Sequence, residues 1–115
     1  MTEPGYQPSP AQVRRRAGAV KGLSPAAQVA AGTFAREFQR STTDPRADER
    51  TAASEAVRRA KAVLTDHEAL IVQLVAGYGL NVKEVADKTR RNTSALKATY
   101  AAACEKLASH YERRA

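Results

Sequence analysis

Apolar residues recur at helical spacing in the first half of the chain and predict two helices there. Ser24 can cap the first helix and Pro25 suits its first position, so we expect a helix over residues 25–40. Pro45 ends it, because proline lacks a backbone N–H and restricts the residue before it. A second helix with its own apolar stripe is predicted over residues 48–63.

The second half of the chain has a stronger apolar periodicity, which predicts three further helices. The sequences TDHE and NVKE match capping boxes and begin helices over residues 66–76 and 82–88. A polar turn over residues 89–92 precedes a helix over residues 93–111, which would be about 28 Å long. The chain is therefore predicted to be all-α, a small helical domain of about five helices.

Three segments are predicted along the chain. Residues 1–22 are expected to form a flexible basic arm, because the first dozen positions hold three prolines, a glycine and few apolar groups. Residues 23–64 form an N-terminal helical pair, and residues 65–115 contain the last three helices. The alanine-rich stripe of the first pair can close a core within the chain or the interface of a homodimer, and the sequence leaves both open.

The charge of the chain indicates the kind of partner. The sequence has 19 Lys and Arg against 12 Asp and Glu, a net charge of +7. The excess is concentrated in residues 1–64, which hold eleven basic and six acidic side chains. A small protein this basic usually meets a polyanion, more often nucleic acid than a membrane surface. The excess in the first half indicates general attraction to phosphate rather than recognition of a sequence.

The cellular location is predicted from three features of the sequence. No apolar run approaches the length of about 18 residues that a transmembrane helix needs. The N-terminal MTEPGYQPSP has neither the charged start nor the apolar stretch of a signal peptide. Cys104 is the single cysteine, which suits a reducing compartment. We therefore expect a cytoplasmic, nucleoid-associated protein without a membrane partner.

The sequence lacks the patterns of catalytic and metal sites. One cysteine and two distant histidines do not match the spacing of zinc ligands, and the acidic residues are dispersed over the predicted helices. There is no glycine-rich phosphate loop and no Ser-His-Asp arrangement. We predict that the protein is not an enzyme and that it has no catalytic residue, metal site or cofactor.

The last three helices and their two short turns follow the plan of a helix-turn-helix domain. The N-terminal end of the helix over residues 93–111 is then expected to lie in the major groove of double-stranded DNA. Basic and hydrogen-bonding residues precede this helix, and small residues on its predicted outer face allow close approach to base edges. The predicted DNA-binding residues are Arg90, Arg91, Asn92, Thr93, Ser94, Lys97, Ala98 and Ala101. A solvated loop is the alternative interpretation of the arginine pair.

Basic residues in the first half of the chain are candidate phosphate contacts. The cluster in the arm can lie against a DNA backbone or enter a minor groove, and two arginines of the second helix lie off its apolar stripe. These residues are Arg14, Arg15, Arg16 and Lys21 in the arm and Arg58 and Arg59 in the helix. A solvated tail is the alternative interpretation of the arm.

Residues 64–110 resemble region 4 of sigma factors and the helix-turn-helix of response regulators. The dipeptide VA at 85–86 matches the second helix of that pattern, LK at 96–97 matches the third, and AAACEKL resembles the closing helix. The turn departs from the pattern, because TRR at 89–91 replaces an apolar residue, a glycine and a second apolar residue. The sequence therefore leaves the tightness of the turn and the register of base contacts open.

A second resemblance spans residues 13–112. The RRR cluster, the following GLSPAAQVAAGTFAREFQRS and the final LASHY are similar to an alphaproteobacterial family of uncharacterised helix-turn-helix domains. That family occurs in the activator of gene transfer agents and in phage-derived regulators. The resemblance implies a transcription activator that binds a promoter, and it raises RNA polymerase or a second regulator as further partners.

Together these patterns predict a DNA-binding transcriptional regulator, an activator of phage-like or gene transfer agent genes that acts at promoters with RNA polymerase. Two alternatives stay open. A protein-interaction module would dock on RNA polymerase or another regulator without reading bases, and a non-specific protein would coat DNA. Charge reversal at the arginine pair without loss of function would favour the first alternative, and equal affinity for any duplex would favour the second.

Overall fold

Six α-helices form within residues 9–114, the part of the chain that this computed structural model describes. The prediction of an all-α domain is confirmed. The five predicted helices are present, and their ends lie within three residues of those expected when the helix that begins at Asp66 is counted together with the π-helical segment that continues it. Among the described residues, no helix combines the length and the apolar character that crossing a membrane requires. The helices are α1 (Pro10–Gly18), α2 (Pro25–Thr43), α3 (Ala47–Ala62), α4 (Asp66–Val72), α5 (Val82–Thr89) and α6 (Thr93–Arg114), and α4 continues as a π-helical segment, Gln73–Gly77.

The helix α1 corrects the prediction of a flexible arm over residues 1–22. Its N-terminus is closed by a capping box, in which Ser9 Oγ accepts from the Gln12 N–H at 3.2 Å and Gln12 Oε1 accepts from the Ser9 N–H at 2.8 Å. Pro10 occupies the first helical position, where it costs no backbone hydrogen bond. The part of the predicted arm over residues 1–8 lies outside the described residues.

Packing explains why α1 is ordered. It lies against α2 and the π-helical segment. Val13 and Ala17 are one helical turn apart and both buried, and the Ala17 carbonyl accepts a hydrogen bond from the Tyr100 hydroxyl at 2.8 Å. Arginines separate these two apolar positions, so the short stripe is masked in the sequence. The basic segment is therefore part of the folded domain from residue 10 onwards.

The helix α2 lies at the centre of the domain, because α1, α3 and α6 all pack against it. Small side chains allow the neighbouring helices to approach α2 closely, and one aromatic ring fills the remaining space. The buried residues of α2 are Ala27, Ala30, Ala31, Phe34 and Ala35.

One hydrophobic core contains side chains from all six helices. Phe34 of α2 and both Tyr100 and Leu107 of α6 are fully buried in it. The segments 23–64 and 65–115 therefore share a core, and the alanine-rich stripe of the first helical pair is closed within the chain. This core holds the pair of α5 and α6 in a defined position on the rest of the domain.

Candidate functional site

The turn between α5 and α6 is tight. After α5 ends at Thr89, Arg90 adopts the left-handed conformation, with φ 56° and ψ 42°. The Arg91 N–H donates to the Ala86 carbonyl at 3.0 Å, which closes the helix end in the manner of a Schellman motif. The turn thus keeps the geometry that glycine would give, although an arginine occupies the position.

Arg90 carries backbone strain that glycine would relieve. An L-residue in the left-handed conformation costs roughly 1–2 kcal/mol of stability. Glycine avoids this cost, but it is more flexible in the unfolded chain and therefore keeps only part of the gain. We expect Arg90→Gly to be about 1 kcal/mol more stable than Arg90→Ala, because both lose the same side chain and differ only at the backbone. Urea denaturation measures the difference, and equal midpoints for the two variants would contradict a strained turn.

The start of α6 is capped by Asn92. Its side-chain Oδ1 accepts from the Ser94 N–H at 2.8 Å and from the Ala95 N–H at 3.2 Å. The cap occupies the Asn92 oxygen, so a base contact from this residue would use its amide NH₂ group. Arg90, Arg91 and Asn92 are all exposed, and we call these three residues the basic corner.

The face of α6 beside the basic corner carries small side chains. Ser94 and Ala98 are exposed, as predicted. Ala95 and Ala102 are exposed as well, and the sequence analysis missed both. The remaining predicted residues of this helix, Thr93, Lys97 and Ala101, are partly buried.

The cause of this difference lies in the core. The sequence analysis placed Leu96 at the centre of the buried stripe of α6. Cys104 is also fully buried, and at 3.6 residues per turn it shifts the centre of the stripe toward Lys97 and Ala101. Ala101 consequently packs against the core. The structure thus corrects the predicted exposed face of α6: Ala95 and Ala102 belong to it, and Ala101 does not.

The helix α5 adds charges of both signs. Lys83 and Lys88 are exposed, and the sequence analysis did not select them although their type and position suited a phosphate contact. Glu84 and Asp87 are exposed on the same helix. The basic character of the surface therefore comes from the basic corner and not from α5 as a whole.

The last turn of α1 brings Arg16 beside the start of α5. Its Nη1 donates to the Gly79 carbonyl at 3.5 Å, and with Asn81 and Val82 it lines a shallow groove of about 290 Å³. Arg15 and Lys21 are exposed to solvent. One of the predicted phosphate contacts of the first half thus lies next to the start of α5.

Three other predicted phosphate contacts are engaged elsewhere. Arg14 donates to Gln39 Oε1 on α2 at 2.8 Å. Arg58 and Arg59 both bind the carboxylate of Glu55, and the hydrogen bond from Arg58 lowers the pKa of Glu55. Glu55 therefore neutralises part of the charge of Arg58 and Arg59. Their helix, α3, packs on α2.

The buried titratable side chains Glu68 and Cys104 are held by the fold and lie away from the basic corner. Glu68 completes the capping box of α4 with Thr65 and accepts from Lys106 Nζ at 2.8 Å. Burial opposes ionisation of Glu68, but hydrogen bonds from Lys106 and the Thr65 backbone outweigh it and lower the pKa. Burial raises the pKa of Cys104 to about 12, so its thiol stays protonated at neutral pH. Within residues 9–114, no group of three or more His, Cys, Asp or Glu side chains is placed to hold a metal.

Comparisons with known proteins add no assignment to this site. Neither a protein-family model, nor a curated protein sequence, nor a solved structure matches this chain. The resemblances drawn from the sequence therefore stay hypotheses. The candidate site rests on the geometry of the basic corner and α6.

Proposed function

We propose that this protein is a DNA-binding transcriptional regulator that contacts duplex DNA through the basic corner and the first turns of α6. The observation that carries the proposal is a pair of exposed arginines just before a long helix whose first turns expose only small side chains. Arginine binds both phosphates and the acceptor edge of guanine, and the helix N-terminus adds a partial positive charge.

The small face of α6 supports the proposal on steric grounds. A helix with its side chains is about 10–12 Å across, and the major groove is about 12 Å wide. Large exposed side chains would hold such a helix away from the base edges. Ser94, Ala95, Ala98 and Ala102 leave the backbone free to approach, and Ser94 can also form a hydrogen bond with a base or a phosphate.

The strained conformation of Arg90 supports the same proposal. Glycine would occupy the left-handed position without steric strain, yet the chain has an exposed arginine there. Strain of this kind is found at functional positions more often than elsewhere. A contact of the Arg90 side chain with DNA gives a physical reason for accepting the strain.

The finer part of the proposal rests on the sequence resemblance. It assigns the protein to activation of phage-like or gene transfer agent genes at promoters with RNA polymerase. The proposed location, in the cytoplasm and on the nucleoid, rests instead on the sequence features that predicted it.

Genome-wide occupancy of the tagged protein tests the proposal. The comparison uses the corner variant, Arg90→Ala/Arg91→Ala, and the α3 control variant, Arg58→Ala/Arg59→Ala, which removes the same charge from a pair that is bound to Glu55. We expect a few sharp promoter peaks that the corner variant loses and the control keeps. Broad coverage would identify a coating protein instead, and sharp peaks that persist in the corner variant would mean recruitment by a partner.

A further inference from the structure

Three arginines line a groove between the start of α1 and the end of α2. The groove has a volume of about 510 Å³. The sequence analysis placed one of these arginines in a flexible arm and did not select the other two. We call this site the arginine groove, and its lining residues are Pro10, Arg14, Arg36, Gln39, Arg40, Thr43, Asp44 and Pro45.

Arg14 is held in place over the groove. Its Nη1 donates to Gln39 Oε1 at 2.8 Å, and Gln39 Nε2 donates to the Pro10 carbonyl at 2.9 Å. This chain of hydrogen bonds links α1 to α2 and fixes the guanidinium before any ligand arrives. A fixed guanidinium loses less conformational freedom on binding an anion than a free one does.

Arg36 and Arg40 bring two further positive charges to the same groove. Both are exposed, and they are four residues apart on α2, so they lie on one face of the helix. Like charges at this spacing repel each other and destabilise a helix. An anion bound between them would remove that repulsion.

The carboxylate of Asp44 is already engaged by a fourth arginine. Arg46 Nε lies 3.3 Å from Asp44 Oδ1, Arg46 Nη2 lies 3.3 Å from Oδ2, and the Arg46 N–H donates to Oδ1 at 2.9 Å. The Arg46 hydrogen bonds are the main cause of a lowered pKa at Asp44, and the charge of Arg40 contributes in the same direction. With Asp44 paired mainly to Arg46, its carboxylate offsets only part of the charge of Arg40, and the groove stays positive overall.

The arginine groove is far from the basic corner. Glu37, next to Arg36 in α2, accepts from the Tyr111 hydroxyl at 3.4 Å and from Arg114 at 3.3 Å, so the end of α2 lies beside the C-terminal end of α6. The basic corner precedes the other end of α6. Thr93 and Tyr111 are separated by about 27 Å at the rise of an α-helix. Because α6 is proposed to meet the duplex with its N-terminal end, the arginine groove then lies on the side of the domain away from that duplex.

We propose that the arginine groove is a second phosphate-binding site that holds the backbone of another DNA segment, so that one molecule bridges two duplexes. The inference rests on the proposed DNA binding at the basic corner. Guanidinium groups bind phosphate oxygens through paired hydrogen bonds, and three of them in one groove match successive backbone phosphates rather than base edges. The groove therefore contributes affinity without sequence preference.

A bridging assay tests the proposal with the full-length chain. One duplex is fixed on beads, a second fluorescent duplex is added, and capture of the second duplex is measured with each protein. The groove variant is Arg36→Ala/Arg40→Ala, and the α3 control variant removes an equal charge elsewhere. We expect the groove variant to bind a single duplex within about threefold of the unaltered protein and to lose at least roughly nine-tenths of the capture, because only one backbone site remains.

The outcomes separate the two proposals. Capture by the groove variant at the level of the unaltered protein, or no capture by the unaltered protein, overturns the bridging inference. If the corner variant still binds a single duplex while the groove variant does not, DNA binding at the corner is wrong, the groove is the DNA site, and the bridging inference falls with it. A parallel titration with inorganic pyrophosphate distinguishes the ligand source: saturable binding that Arg36→Ala/Arg40→Ala abolishes, without any duplex capture, assigns the groove to a free phosphorylated ligand and overturns bridging.

Discussion

Replacing Tyr100 by alanine is expected to destabilise the protein by about 4 kcal/mol. The ring is fully buried in the core, and its hydroxyl joins α6 to α1 through the 2.8 Å hydrogen bond to the Ala17 carbonyl. The variant loses the transfer free energy of the aromatic ring and leaves a cavity among neighbours that cannot collapse completely. Small domains have a free energy of unfolding of only about 5–15 kcal/mol, so the substitution removes a large share of it.

A matched pair of substitutions separates the ring from the hydroxyl. Tyr100→Phe keeps the packing and leaves the buried Ala17 carbonyl without its partner, which we expect to cost about 1–2 kcal/mol. Tyr78→Phe is the control, because Tyr78 is 56% exposed and the same loss of a hydroxyl there should change stability by less than about 0.5 kcal/mol.

Urea denaturation of the three variants measures these differences, with unchanged m-values as the condition for comparing them. Hydrogen exchange adds a local readout, because loss of the Tyr100 hydrogen bond should reduce the protection of the α1 amides first. A Tyr100→Phe variant as stable as the Tyr78→Phe control would show that the link between α6 and α1 contributes nothing to the fold.

Local signals explain why most of the fold was predictable from the sequence. The cap at Ser24 and the boxes at Thr65 and Asn81 each act within four residues, and all three are formed in the structure. Apolar periodicity then indicates the buried face of each helix, although for α6 the face was rotated from the one predicted. Such signals need no knowledge of tertiary contacts, so helices α2 to α6 follow from the sequence.

The features that the sequence did not predict depend on contacts between distant segments. The helix α1 has only two buried positions, and what stabilises it is its packing on α2 and the bond between Ala17 and Tyr100, which are 83 residues apart. The rotation of the α6 face depends on how deeply Cys104 is buried. The arginine groove likewise exists only once α1 and α2 lie side by side, since Arg14 and Arg36 are remote in the sequence.

The conformation of Arg90 shows a different limit. Residue type argues against a left-handed position for an arginine, so a tight turn could not be inferred from the sequence. The backbone adopts it because α5 and α6 are both anchored in the core, by Val85 and Leu96 among others, and the three residues between the helices must close the gap. Tertiary packing here overrides local preference at the position where the proposed function needs an exposed cation.

The salt dependence of DNA binding gives the strongest expected effect at the proposed site. Each phosphate contact adds about 0.9 to the slope of log affinity against log salt. If both corner arginines contact phosphates, the Arg90→Ala/Arg91→Ala variant should bind with a slope that is shallower by about 1.8. This difference in slope predicts that the variant binds roughly 60-fold more weakly at 0.1 M salt and about as tightly as the unaltered protein near 1 M.

Fluorescence anisotropy with a labelled duplex, repeated across a salt series, measures both quantities. The α3 control variant, Arg58→Ala/Arg59→Ala, removes an equal formal charge from side chains that bind Glu55, so its slope should stay within about 0.5 of the unaltered protein. Equal losses in the two variants would mean that net charge, rather than the position of the corner, drives binding. A corner variant with an unchanged slope would remove Arg90 and Arg91 from the interface, and with them the physical reason for an arginine in the strained turn.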